Sequence, residues 1–198
     1  MKHITQAGSV FRLAAGRTAL LLQITKYGHV ELLHYGGILP MEDAPAMAAR
    51  RTMPYGSEVM YTEDDPVYCL DNIPLLWSGS GKGDFRIPPI ELELPDGTFT
   101  TDFIYESCTL RPGTLPAVGL PAAYDEMGEA ETLVLSLREK KYALRLELVF
   151  TVFPGVDVIT RRTVLHNEEN VAVTIRRLMS MQIDLPQREY EMITLDGD

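Results

Sequence analysis

In YALRLELVFTVF, residues 142–153, every even position from Tyr142 to Val152 is apolar, while Arg145, Glu147 and Thr151 fall between them. A period of two is the mark of a strand whose successive side chains point to opposite faces. A helix would need its apolar residues three and four apart, and here they would encircle it. One face of this strand therefore demands a second apolar layer, and the chain must pack a sheet against something.

Other stretches read the same way. ALLLQITKYGHVELLHYG is two apolar runs around Lys26-Tyr27-Gly28-His29, a glycine-containing hairpin turn. IELELPDGTFTTDFIY is expected to be a second hairpin. Ile90, Leu92 and Leu94 alternate with Glu91 and Glu93, Pro95-Asp96-Gly97 turns the chain, and Phe99, Phe103 and Tyr105 return. Further strands are expected over 157–166 and 171–184, parted by the polar turn Asn167-Glu168-Glu169-Asn170. MEDAPAMAARRTM makes at most one or two helical turns, since Pro45 sits inside it and no apolar stripe extends it. Strands at regular spacing with turns between them predict an all-β fold, a large antiparallel sandwich of two packed sheets with few short helical turns. With 198 residues the chain is expected to form a single β-sandwich domain over 1–198.

Charge and residue usage narrow the function classes. A formal net charge of −10 argues against a nucleic-acid partner, which needs a basic face, and against docking on anionic lipid. MKHITQAGSVFRLAAG lacks the continuous apolar core of an export signal, and LLLQI is far too short to span a bilayer. Cys69 and Cys108 need not bridge, and a reduced, cytoplasmic setting is expected. His3, His29, His34 and His166 show no metal-ligand spacing, so no metal and no cofactor is expected.

From Leu39 to Gly83 the chain loses clear strand alternation. Glycines 79, 81 and 83 in WSGSGKGD suggest a phosphate cradle, but no Ser or Thr follows the lysine and no helix pattern follows the loop. Long irregular loops within compact domains tend to be functional or interface-forming. Trp77 in such a loop suits sugar stacking or a protein contact, or else it is tucked into the sandwich edge. Asp84 and Arg86, two apart on an extended segment, point to one face, where they either form an ion pair that fixes the loop or reach sugar hydroxyls. Asp125, Glu126, Glu129 and Glu131, in GLPAAYDEMGEAETLVLSL, are a candidate acidic cluster beside a strand entrance, with no partner that sequence reveals.

GKGDFRIPPIELELPDGTFTTDFIYES, GLPAAYDEMGEAETLVLSL, VFPGVDVITRRTVLHNE and RLMSMQIDLP occur in that order. Together they resemble the amino-terminal domain of the α-galactosidases of glycoside hydrolase family 36. The resemblance covers roughly residues 10 to 195. It implies a twisted β-supersandwich preceding a (β/α)8 catalytic barrel. It also implies a retaining hydrolase of terminal α-linked galactose, as in melibiose or raffinose, whose two carboxylates lie on the barrel. No segment here alternates strands with amphipathic helices. The catalytic barrel is therefore expected to be absent, the chain to be a fragment without catalytic residues, and that barrel to be its missing partner.

In the family the sandwich packs near the active-site entrance, and in tetrameric members amino-terminal loops approach a neighbouring subunit. The resemblance thus makes a homo-oligomer the expected state of the full enzyme. It offers Arg51 (or Arg50) for a basic role, which joins Trp77, Asp84 and Arg86 from the loop itself as substrate-binding or interface residues. Two readings compete with this one. A stand-alone carbohydrate-binding or interaction module draws on Trp77 and the glycine-rich loop. An aldose-epimerase-like enzyme needs a histidine acid and a carboxylate base converging on one sugar. In sequence no histidine has an evident acidic partner, which disfavours the epimerase.

Overall fold

The computed structural model describes residues 2–48, 50, 56, 58–117, 119–185, 189–191 and 193–194. Its strands are β1 (Ile4–Ala7), β2 (Val10–Ala15), β3 (Thr18–Ile24), β4 (Val30–Gly37), β5 (Ile90–Glu93), β6 (Phe103–Pro112), β7 (Glu131–Glu139), β8 (Leu144–Phe153), β9 (Val158–Asn167) and β10 (Thr174–Leu178). All pair antiparallel, in a four-stranded sheet β1-β2-β3-β4, a second four-stranded sheet β6-β7-β8-β9, and a two-stranded sheet of β5 with β10. Among the described residues the helical content is a four-residue helix, Ala44–Met47, and three short 3-10 turns. This is the all-β sandwich that the period-2 pattern predicts.

One apolar core joins the layers. Leu13, Leu20, Leu22 and Leu32 from the first sheet meet Leu133, Leu135, Leu137, Leu144, Leu146, Leu148, Phe150 and Val152 from the second, and Ile90 and Leu92 of β5 join them. The even positions of β8 all face this core, as their spacing requires. Burying each such side chain is worth about 1.5–3 kcal/mol, so β7 and β8 dominate the stability of the layer.

The hairpin at Lys26–His29 forms as expected. Gly28 adopts φ +86°, and a Cβ there would lie 3.1 Å from Cβ of Ile104 and 3.3 Å from the Tyr105 nitrogen. Its carbonyl accepts the Tyr105 N–H at 2.7 Å, which ties the tip of the first sheet to β6. Only glycine gives the turn this backbone and this approach.

The expected second hairpin is corrected. The turn is present, with the Gly97 N–H donating to the Leu94 carbonyl at 2.8 Å. Beyond the Leu94 N–H bond to the Thr98 carbonyl at 2.9 Å, its two arms do not pair, because β5 bonds to β10 and β6 to β7. After the turn, the Thr101 N–H donates to the Ser80 carbonyl and the Asp102 carboxylate is held by Tyr61 and His29, so the chain is drawn away from β5 before β6 begins. The strand expected over 171–184 contracts to Thr174–Leu178, with a bulge between Ile175 and Arg177. β1 and β2 precede the first strand read from sequence. They are joined by a turn in which Gly8 has φ +58°.

Candidate functional site

The irregular stretch after β4 lies over a buried polar network built by residues distant in sequence. His29, just before β4, is 4% exposed and has both ring nitrogens engaged. Nδ1 is 2.9 Å from the Tyr68 hydroxyl and Nε2 is 3.3 Å from Asp102 Oδ1. Tyr61 donates its hydroxyl to Asp102 Oδ2 at 2.8 Å, and Lys140 Nζ stands 3.1 Å from the same oxygen. The Thr25 hydroxyl lies 2.6 Å from that of Tyr68 and accepts the His29 N–H at 3.1 Å. Glu139 accepts the N–H groups of Asp102, Lys141 and Tyr142, which fixes the end of β7 beneath the network.

Electrostatics follow the geometry. Burial alone would raise the Asp102 carboxyl, but hydrogen bonds from His29 and Tyr61 and the charge of Lys140 outweigh it and bring the pKa down to about 2. Burial pushes the Tyr68 hydroxyl well above the usual phenol range. Tyr27, Tyr61 and Tyr68 pack against one another, with the Tyr27 and Tyr68 ring centres 4.6 Å apart and nearly edge-on. On the rim, Lys26 pairs with Asp65 at 2.5 Å, and Arg50 Nη1 donates to Glu31 Oε1 at 2.7 Å, Glu31 being 1% exposed.

Two of the four histidines therefore do have acidic partners, contrary to the sequence reading: Asp102 for His29, and Glu147 at 3.4 Å for His166. The His29 partner lies 73 positions along the chain, so no local spacing could reveal it. An epimerase would need this pair to face a sugar. Both members are sealed from solvent and bonded to protein, so the network holds the loop and leaves no acid or base free.

Asp84 and Arg86 form the ion pair expected as one of two alternatives. Arg86 donates from Nε to Asp84 Oδ1 at 2.8 Å and from Nη2 to Asp84 Oδ2 at 2.9 Å. Nη2 also reaches the carbonyls of Leu70 and Ile73, and Nη1 pairs with Asp184. Burial would lower the Arg86 pKa, but Asp84 and Asp184 more than offset it and the net shift is upward. One guanidinium thus clamps three chain segments, and Phe85 and Ile87 on either side of it project into solvent at 71% and 74% exposure.

Trp77 is corrected as a stacking platform. It is 2% exposed and belongs to the main core, so its ring shows no face to a sugar, and the tucked alternative describes it. Its indole N–H has no hydrogen-bond partner among the described residues. Arg51 lies outside the described residues. Gly79 serves close packing: a Cβ there would lie 2.6 Å from the Thr101 carbonyl oxygen.

Two of the four acidic residues near β7 are occupied with backbone. Asp125 accepts the N–H groups of Glu129 and Ala130, at 3.2 and 3.0 Å, and so caps the turn before the strand. Glu131 Oε2 accepts those of His3 and Ile4, at 2.9 and 2.7 Å, pinning the first strand to the second sheet. Among the described residues no group of three His, Cys, Asp or Glu side chains is placed to hold a metal, and no helix is long and apolar enough to cross a membrane.

Comparison with known proteins adds what this geometry lacks. A family model described as the Glycosyl hydrolase family 36 N-terminal domain matches residues 28–198. The α-galactosidase Mel36A of Lactobacillus acidophilus is 29% identical over 189 residues, which are 95% of this chain and 26% of that protein. The crystal structure of an α-galactosidase from Lactobacillus brevis superposes with a TM-score of 0.87 at 27% identity, covering 93% of this chain and 25% of that one. A variant of the family 36 α-galactosidase AgaA from Geobacillus stearothermophilus, solved in complex with raffinose, gives 0.84 at 27% identity, covering 89% and 24%. The chain thus spans about a quarter of the length of the relatives it matches.

Proposed function

The chain belongs to the family of glycosyl hydrolase family 36 N-terminal domains, and from that membership we propose that it is the non-catalytic amino-terminal part of an α-galactosidase. The full enzyme removes terminal α-linked galactose with retention from substrates of the raffinose and melibiose type. The observation that carries this reading is the match across nearly the whole chain to α-galactosidases about four times as long. The state of the carboxylates supports it. Retaining hydrolysis needs two carboxyl groups about 5 Å apart flanking a bound sugar. The buried acids here are instead committed to cations, tyrosines and backbone N–H groups.

In this proposal the domain supports a (β/α)8 barrel, shapes the approach to its active site and contributes to homo-oligomer contacts. The polar network and the Arg86 clamp hold the intervening loops in one shape for that purpose. Asp84 and Arg86 are positioning residues, and Arg51 is a candidate contact to sugar or to a neighbouring subunit. The enzyme is cytoplasmic, a reading supported by Cys69 and Cys108 forming no disulfide with each other. The acidic balance favours a neutral sugar substrate over nucleic acid or anionic membrane. The coding sequence downstream of residue 198 tests the proposal. A strand–helix series carrying an aspartate at the end of an apolar strand is expected, and a stop codon there would refute it.

A further inference from the structure

One end of the sandwich is open between its sheets. Tyr35 of β4, Phe150 of β8, Ile159 and Arg161 of β9, and Met181 and Leu185 beyond β10 line a mouth of about 250 Å³. Tyr35, Met181 and Leu185 are 51%, 52% and 42% exposed, and the neighbouring Leu178 and Met179 are exposed as well. Apolar side chains gathered in this way mark a contact surface. β9 is an edge strand, paired along its length with β8 alone.

Arg161 sits at the floor of this mouth. Its guanidinium lies 5.3 Å from the centre of the Phe150 ring, donates to the carbonyls of Gln182 and Leu76 at 3.1 and 2.7 Å, and leaves Nε with no partner among the described residues. No described carboxylate lies within ion-pair distance of it, whereas Arg50, Arg86, Arg138 and Arg145 each hold at least one. Burial lowers its pKa to about 10, so the charge persists at neutral pH. A chain of net charge −10 has acids to spare, yet among the described residues this half-buried cation has none. Uncompensated charge in an apolar setting is costly, and a carboxylate arriving with the covering surface would remove that cost.

We propose that this mouth docks an apolar segment bearing a carboxylate for Arg161, supplied by the part of the polypeptide that the matched relatives carry outside the matched quarter. The inference rests on the reading that this chain works within a longer enzyme. Two copies of a chain at −10 repel one another, which disfavours a second copy as the occupant. The segment 181–185, near the end of the described residues, already forms one wall of the mouth.

Methionine oxidation by hydrogen peroxide, mapped by mass spectrometry, tests this in the 198-residue chain and in the protein encoded by the full gene. Met181 is expected to oxidise roughly tenfold more slowly in the longer protein, because oxidation follows exposure. Met127, 69% exposed on a separate loop, should change little. Met181→Lys should leave the thermal midpoint of the 198-residue chain unchanged and lower that of the longer protein. Equal Met181 rates in the two proteins would overturn the proposal. So would equal slowing of Met127, or protection of the short chain that rises with its own concentration. These readouts are independent of activity. A protected Met181 in a longer protein that cleaves no galactoside would leave the docking intact and refute the α-galactosidase reading.

Discussion

Leu146→Asp places a carboxylate at the centre of the core. Leu146 is 0% exposed on β8, paired in register with Leu137 of β7 and Leu165 of β9, and it faces the first sheet across the sandwich. Truncating a buried leucine costs about 2–5 kcal/mol through lost transfer free energy and residual cavity. An ionised carboxylate with no cation beside it adds several kcal/mol more, and protonating it removes only part of that. Domains of this size are typically stable by about 5–15 kcal/mol, so the substitution should abolish the folded state or leave it marginal. Circular dichroism with a urea titration reads the outcome, and Leu146→Ala should give an intermediate loss of about 2–5 kcal/mol. A thermal midpoint for Leu146→Asp within a degree or two of the parent would refute the assignment of this face to the core.

Three further outcomes follow from the polar clusters and the loop. The Asp102 carboxyl has a pKa near 2 when folded and about 4 when unfolded, so its pairing stabilises the protein above pH 4 and that contribution is lost as the pH falls toward 2. Asp102→Asn should remove about 2 kcal/mol of the acid sensitivity in that window, seen as a flatter dependence of urea midpoint on pH; an unchanged slope would refute the pairing. Gly79→Ala forces a Cβ against the Thr101 carbonyl and should cost about 1–3 kcal/mol by denaturant titration, and an unchanged midpoint would show that the loop runs elsewhere. Arg86→Lys keeps the charge but loses the two-pronged contact with Asp84, and should speed proteolytic cleavage between residues 70 and 87. Equal cleavage rates would mean that Arg86 is not the clamp.

What the sequence disclosed was what is periodic and local. The alternation in β8 and the glycine turn at Gly28 place the central strand of one sheet and the hairpin of the other, because side-chain period and turn chemistry are written in adjacent residues. β1 and β2 were less legible, since four- and six-residue strands with few large apolar side chains carry little period. The partnering of β5 was not legible at all. A turn signal says that the chain reverses, but the partners of each arm, β10 for β5 and β7 for β6, lie tens of positions away and leave no mark beside the turn. The same limit applies to the site. Asp84 and Arg86 are two apart and their pairing could be read, whereas His29 with Asp102, and Arg86 with Asp184, arise only from folding. Trp77 misleads for a related reason, since a loop without alternation can still send one large side chain into the core.

Under the proposed function this domain carries no chemistry of its own and works within a longer α-galactosidase. Release of nitrophenol from p-nitrophenyl α-galactoside, measured in parallel for the purified 198-residue chain and for the protein encoded by the full gene, tests it directly. No release by the chain and clear turnover by the longer protein are predicted. Turnover by the chain alone, or none by the longer protein, would contradict it.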